Sequence, residues 1–206
     1  VYGTYKGFNN RTNVNLDNLY IVFDVSTIGA KNLLPIVMFI ATDFVWSKVK
    51  EDRTQDKIVL LDEVWKLINT NDTVAEYVLE LYKTIRGYGG GVVCATQDLT
   101  DFTALKNGMY GNRILSNSSA KIIMKIQSEN LNEIRRVFSL TEDEFDSILA
   151  MKKGQGILIS NQDNVMVNVM ASEKEDRLIT TDASKLRGYY GDSKQIEREQ
   201  QRRIAG

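Results

Sequence analysis

The sequence predicts an α/β protein built as three layers around a mostly parallel sheet, and three observations carry that prediction. Short apolar, β-branched runs alternate with segments of helical period along most of the chain. Two of those runs end in polar residues capable of chemistry, and α/β sheets bind ligands beyond the carboxyl ends of their strands. The composition is globular, with 43% hydrophobic and 26% charged residues in 206, enough for one substantial core or two small ones.

The elements follow in order. Leu19–Val25 is apolar and aromatic, and predicts a buried strand after the turn-rich stretch Asn13–Asn18. Lys31–Lys50 carries Leu33, Val37, Ile40, Phe44 and Val45 at helical spacing, with Pro35, the only proline, in its first turns where a missing N–H is tolerated. Lys57–Leu61 predicts a second strand, and a further helix starts near Val64. Asp72–Arg86 predicts an amphipathic helix whose stripe is Val74, Val78, Leu81 and Ile85, capped by Asn71 or Asp72 and stopped at Gly87. Gly89-Gly90-Gly91 leads into a third strand, Val92–Thr96, and Ala120–Ile126 predicts a fourth. Leu131–Phe138 and Thr141–Met151 predict helices, the second with the capping-box spacing Thr141/Glu144. After a turn at Gly154-Gln155-Gly156, Ile157–Ser160 and Val165–Met170 predict an antiparallel hairpin. The charged stretch Asp192–Ala205 reads as a solvated helix or frayed tail. No internal repeat or low-complexity tract interrupts the series.

Composition narrows the chemistry. The chain has no histidine, which removes Ser–His and Cys–His catalysis and histidine metal sites together. Its single cysteine, Cys94, lies in an apolar run, forms no intrachain disulfide, and suits a reducing compartment as a small core residue. Lys and Arg number 26 against 27 Asp and Glu, a net charge of -1, so no global field draws the chain to nucleic acid. The most apolar stretch, Leu33–Ala41, is too short to span a bilayer and is bracketed by Lys31 and Asp43. Val1–Asn10 has no signal-peptide pattern and reads as mid-protein sequence, so a fragment is expected.

Strand Lys57–Leu61 runs straight into Asp62-Glu63, an apolar run ending in two acids. P-loop ATPases use that pattern to hold a magnesium water shell with the first acid and to orient or deprotonate the attacking water with the second. The bland alternative is a pair of solvated carboxylates before a helix. Gln97 follows the third strand, where its amide can donate to a terminal phosphate and accept from water; the alternative is an ordinary polar loop residue. Arg86, at the end of a helix, favours the dipole there or stabilises transition-state charge, with Arg113, Arg135 and Arg136 as competitors. No GxxxxGK[ST] occurs, so the phosphate-cradling loop and its lysine are missing and the chain holds half a site.

Several stretches together resemble the large conjugative-transfer ATPases of type IV secretion systems. They are Gly7–Val14 with Leu19–Asp24, Ile58–Glu63 followed by Trp65, Tyr88–Gln97, Ile114–Lys121, Leu140–Leu149 running into Gly154–Ile159, and Ile179–Asp182. The likeness runs from about Gly7 to Asp182. It implies a RecA-like motor fold truncated before the Walker A region, with residues 1–170 forming the C-terminal part of the ATPase domain and 171–206 a tail with a polar helix. It implies that Asp62 and Glu63 are the Walker B acids, Asp62 the magnesium partner and Glu63 the catalytic carboxylate. It places Gln97 as the post-strand glutamine on the nucleotide, and Arg86 in an arginine–aromatic–glycine segment as a finger.

The cofactors implied are ATP and Mg2+, and the intact parent is expected to be a Mg-dependent ATPase, with this chain inactive alone. Implied partners are other type IV secretion components, the coupling protein and further copies of the parent in a ring, a hexamer. The place expected is the cytoplasmic face of the inner membrane, with peripheral membrane association and an open question of DNA contact. Two other readings remain: a DNA-pumping translocase or coupling protein of related fold, and a non-catalytic docking lobe.

Overall fold

The computed structural model describes residues 18–26, 28, 33–70, 72–97, 99, 108–126, 131–160 and 163–191. Two compact units divide the chain, Val1–Asn117 and Ser118–Gly206, and each has its own sheet.

The first unit is organised by its most amphipathic long helix. β1 (Lys57–Leu61) is followed by α2 (Val64–Thr70) and α3 (Asp72–Thr84), after α1 (Leu34–Glu51). The predicted stripe of α3 is its buried face: Val74, Val78, Leu81 and Ile85 are all nearly inaccessible to water. Spacing of three and four residues puts them in one line, and that line packs on α1, α2 and α4 (Met109–Asn117). The core beneath is Val64, Ile68, Ala75, Val78, Leu79, Tyr110 and Ile114. Each Val, Leu or Ile among them contributes about 1.5–3 kcal/mol when fully buried. A second cluster joins Val49, Leu81 and Ile85 to Trp46, Val59, Tyr88 and Val92.

Gly89, and not the expected Gly87, stops this helix. After Thr84 the chain tightens into a 3-10 turn, Ile85–Tyr88, and Gly89 takes φ 71° while its N–H returns to the carbonyls of Arg86 and Ile85. Only a glycine fits there, because a Cβ would lie 2.9 Å from the carbonyl oxygen of Arg53. β2 (Gly90–Cys94) therefore begins two residues earlier than predicted and pairs in parallel with β1, from Lys57 opposite Gly90 to Leu61 opposite Cys94.

Two expectations fail in this unit. Leu19–Val25 is not a strand: it has no ladder partner among the described residues, and Leu19, Tyr20 and Val22 are exposed. An apolar run is extended and buried only where a neighbouring strand takes up its backbone groups. In α1 the buried side chains are Met38, Thr42 and Val49, whereas Ile40 faces solvent. Apolar residues encircle this helix, so its periodicity does not select a face.

In the second unit β3 (Ala120–Met124), β4 (Gln155–Ser160) and β5 (Asp163–Asn168) form an antiparallel sheet in the order β3-β4-β5. The predicted hairpin is there, in the register Gln155 opposite Asn168 to Ser160 opposite Asp163. The single, mostly parallel sheet is corrected: among the described residues, parallel pairing is confined to β1 and β2. β3 reads as the next strand of an alternating series, but two helices, α5 (Leu131–Phe138) and α6 (Glu142–Ala150), bring the chain back antiparallel beside it. α6 opens with the expected capping box: the Thr141 hydroxyl accepts from Glu144 N–H and the Glu144 carboxylate accepts from Thr141 N–H. A second box, Ser172 with Glu175, opens α7 (Glu173–Ile179), and Asp182 caps α8 (Ala183–Tyr190). The tail stretch Asp192–Ala205 and the segment Gly7–Val14 lie outside the described residues.

Candidate functional site at the carboxyl edge of the parallel strands

Because β1 and β2 are parallel and in register, their carboxyl ends meet at one edge. The chain leaves the ladder there in a defined way. Ala95 N–H donates to the Leu61 carbonyl at 3.0 Å, and Val64 N–H donates to the Ala95 carbonyl at 3.3 Å. Asp62 and Glu63 are the two residues between those bonds, so they are held out from the sheet as a short step before α2.

The backbone of that step is unusual. Glu63 has φ 49°, one of two non-glycine residues in the left-handed region among those described. A non-glycine residue pays about 1–2 kcal/mol for that conformation. Local bonds offset it: Glu63 N–H donates to Asp62 Oδ1 at 3.0 Å, and Lys66 N–H donates to the Glu63 carbonyl at 2.9 Å. Glu63 Oε2 also accepts the indole N–H of Trp65 at 2.5 Å. Strain of this kind gathers where a side chain must be aimed.

Gln97 lies at the same edge, exposed, three residues past the end of β2 and two past the Ala95 carbonyl that receives Val64 N–H. It does not follow the strand directly, because β2 ends at Cys94. The structure thus brings Asp62, Glu63 and Gln97 to one edge. It does not bring Arg86 there: Arg86 lies in the 3-10 turn before β2, beyond the opposite end of a five-residue strand whose ends are about 13 Å apart at about 3.3 Å per residue. Arg86 is exposed. Of the competing arginines, Arg113 is exposed on α4, and Arg135, in the second unit, pairs with Glu142 and stacks on Phe145. Arg136 has no described side chain.

Beneath the edge, Cys94 and Tyr82 are neighbours against the core, and burial pushes both the thiol and the phenol up from their ordinary values. Cys94 is thereby kept protonated and inert, as expected of a packing residue.

The donor set fits an ion shared with phosphate. Magnesium retains several waters and needs only one or two protein carboxylates beside phosphate oxygens. Asp62 is exposed at the edge with one oxygen turned to its own backbone step, and among the described residues no cluster of three potential metal ligands exists to form a protein cage. Trp65, whose indole N–H reaches Glu63, is a contact at this edge that sequence reading did not single out; the signal was an indole two positions after the second acid.

Residues 3–201 match the TraG P-loop domain family. Protein TraC of Escherichia coli is 28% identical over 148 residues, covering 69% of this chain and 17% of TraC. The type IV secretion system protein CagE of Helicobacter pylori is 27% identical, covering 68% of this chain and 14% of CagE. The DNA import protein CedB of Sulfolobus acidocaldarius is 27% identical, covering 66% and 23%. Among solved structures, VirB4 of Thermoanaerobacter pseudethanolicus superposes with a TM-score of 0.69 at 25% identity, covering 79% of this chain and 44% of that one. The chain thus spans less than a quarter of the curated relatives it matches.

Proposed function

The chain belongs to the TraG P-loop domain family, and from that premise we propose that it is the hydrolytic half of an ATP-driven motor of conjugative transfer or type IV secretion. The observation that carries the reading is the juxtaposition of Asp62, Glu63 and Gln97 at the carboxyl edge of a parallel strand pair. The phosphate-binding loop is supplied by a segment outside these 206 residues, since no GxxxxGK[ST] occurs here and the relatives are several times longer. With it, the sheet is completed as a three-layer RecA-like domain to which residues 1–170 contribute the C-terminal part, with 171–206 as its tail.

Bound Mg2+ supplies Lewis-acid neutralisation of the phosphate oxygens. Asp62 would be the residue that holds the ion, through its exposed carboxylate. Glu63, fixed above the edge, orients the attacking water and accepts its proton. The Gln97 amide donates to the terminal phosphate and accepts from the same water. Arg86, at the far edge, cannot serve the site of its own chain and acts, if as a finger, on the site of a neighbouring copy in a ring. A hexamer at the inner face of the cell membrane, working with the coupling protein and other secretion components, is the assembly this reading implies.

Steady-state ATP hydrolysis by the extended protein carrying the phosphate loop tests it, with and without Glu63→Gln. Turnover falls by about 10²-fold or more with nucleotide still bound. Unchanged turnover removes Glu63 from the mechanism, and an extended protein with no turnover favours the docking-lobe reading. The name of CedB, a DNA import protein, favours a second reading in which the same motor pumps DNA. Stimulation of turnover by DNA, steeply lost with salt, would distinguish it.

A further inference from the structure

We propose that Trp65 is a positioning residue for Glu63: its indole N–H holds one carboxylate oxygen and so aims the other at the attacking water. The proposal rests on the reading of Glu63 as the water-activating group.

The Trp65 indole N–H donates to Glu63 Oε2, a bond strengthened by the charge on its acceptor. The ring that donates it is anchored, since Trp65 packs against the core cluster that includes Val64, Ile68 and Tyr110. The Lys66 ammonium lies 5.3 Å from the ring centre and draws on its electrons, which strengthens the N–H as a donor. Oε1 of Glu63 meets no donor among the described residues. One oxygen is therefore fastened to the core through a rigid ring, and the other is left for a ligand.

An indole suits this task for a chemical reason. It has one donor, no acceptor and no charge, so it orients a carboxylate without neutralising it. A lysine or arginine in the same place would form an ion pair and weaken the base. The strained φ of Glu63 acts in the same sense, because backbone and side chain are both fixed before substrate arrives.

The test compares Trp65→Phe with the wild type in the extended, loop-bearing protein, with Glu63→Gln measured alongside. Phenylalanine keeps an aromatic ring against the core and removes the donor together with one ring of the indole, so the melting temperature is measured beside kcat. The expected result is a fall in kcat of about tenfold to a hundredfold with KM for ATP unchanged. A role in packing alone predicts a lower melting temperature with kcat per folded molecule preserved, and that result overturns the proposal. A second readout needs no turnover: the indole N–H resonance of Trp65 in the 206-residue chain, assigned by Trp46→Phe. It should move upfield in Glu63→Ala as the bond to the carboxylate is lost; a resonance that stays in place also overturns the proposal. If Glu63→Gln leaves turnover intact, the reading of Glu63 as the water-activating group fails instead, whatever the resonance does.

Discussion

The change Gly89→Ala tests how the helix before β2 is stopped. Gly89 sits at φ 71°, where a residue with a Cβ is disfavoured by about 1–2 kcal/mol. The added Cβ would also lie 2.9 Å from the Arg53 carbonyl oxygen and 3.1 Å from that of Gln55. Both obstacles are backbone atoms, and the second is gripped by the Lys57 ammonium at 3.1 Å, so neither swings aside as a side chain would. Overpacking of that kind adds about 1–3 kcal/mol, for a total loss of about 2–5 kcal/mol. The control is Gly87→Ala, two residues earlier, where a Cβ meets nothing within 4 Å and the cost is within about 0.5 kcal/mol. Urea unfolding followed by tryptophan fluorescence isolates the right unit, because both tryptophans, Trp46 and Trp65, lie in Val1–Asn117. Equal losses at the two positions, or a larger one at Gly87, would refute the reasoning and return the helix stop to Gly87.

Two further outcomes concern the second unit. Thr141→Ala removes the hydroxyl half of the box opening α6 and costs about 1 kcal/mol, read as a lower urea midpoint by circular dichroism. The carboxyls of Glu144, Glu175, Asp176 and Asp182 are all held below their ordinary values, the first by Thr141 N–H, Glu175 by the Ser172 hydroxyl, Asp176 by Lys185, and Asp182 by the Lys185 and Ser184 N–H groups. Groups lowered in the folded state contribute stability that is complete above their unfolded values, about 3.9–4.3, and is lost as pH falls through the lower folded ones. Helicity should therefore hold at neutral pH and decline below about pH 4, and Glu175→Gln with Asp182→Asn should flatten that decline.

Much of this architecture was legible because local chemistry leaves little choice. β1 ends where its apolar run ends, at Leu61, and α5 spans Leu131–Phe138 as read. The line Val74, Val78, Leu81, Ile85 has only one helical face to occupy. Thr141 and Glu144 complete each other whatever the rest of the fold does. What failed depended on partners distant in sequence. Leu19–Val25 has a strand's composition and no ladder to join among the described residues, and β3 has the look of a parallel strand but finds β4 instead. At the site, the adjacent acids after β1 were visible as a pattern, and the register of β1 on β2 explains why Gln97 shares their edge. Arg86 was legible as an arginine before a glycine turn, yet that says nothing of which end of the sheet the turn occupies. The bond from Trp65 to Glu63 depends on a left-handed residue between β1 and α2, which no propensity for glutamate suggests.

Lys57 gives the far edge a mechanical character. Its ammonium donates to the carbonyls of Asp52, of Gln55 at 3.1 Å and of Tyr88 at 3.0 Å, while its own N–H reaches the Gly89 carbonyl at 3.1 Å. The Arg53 guanidinium stacks on Tyr88 at 4.4 Å across the same seam. The turn bearing Arg86 is thus tied, through Lys57 and Arg53, to the segment that follows α1. The edge opposite Asp62 and Glu63 is thus closed by one lysine that ties three stretches of backbone together, the loop after α1, the start of β1 and the turn before β2.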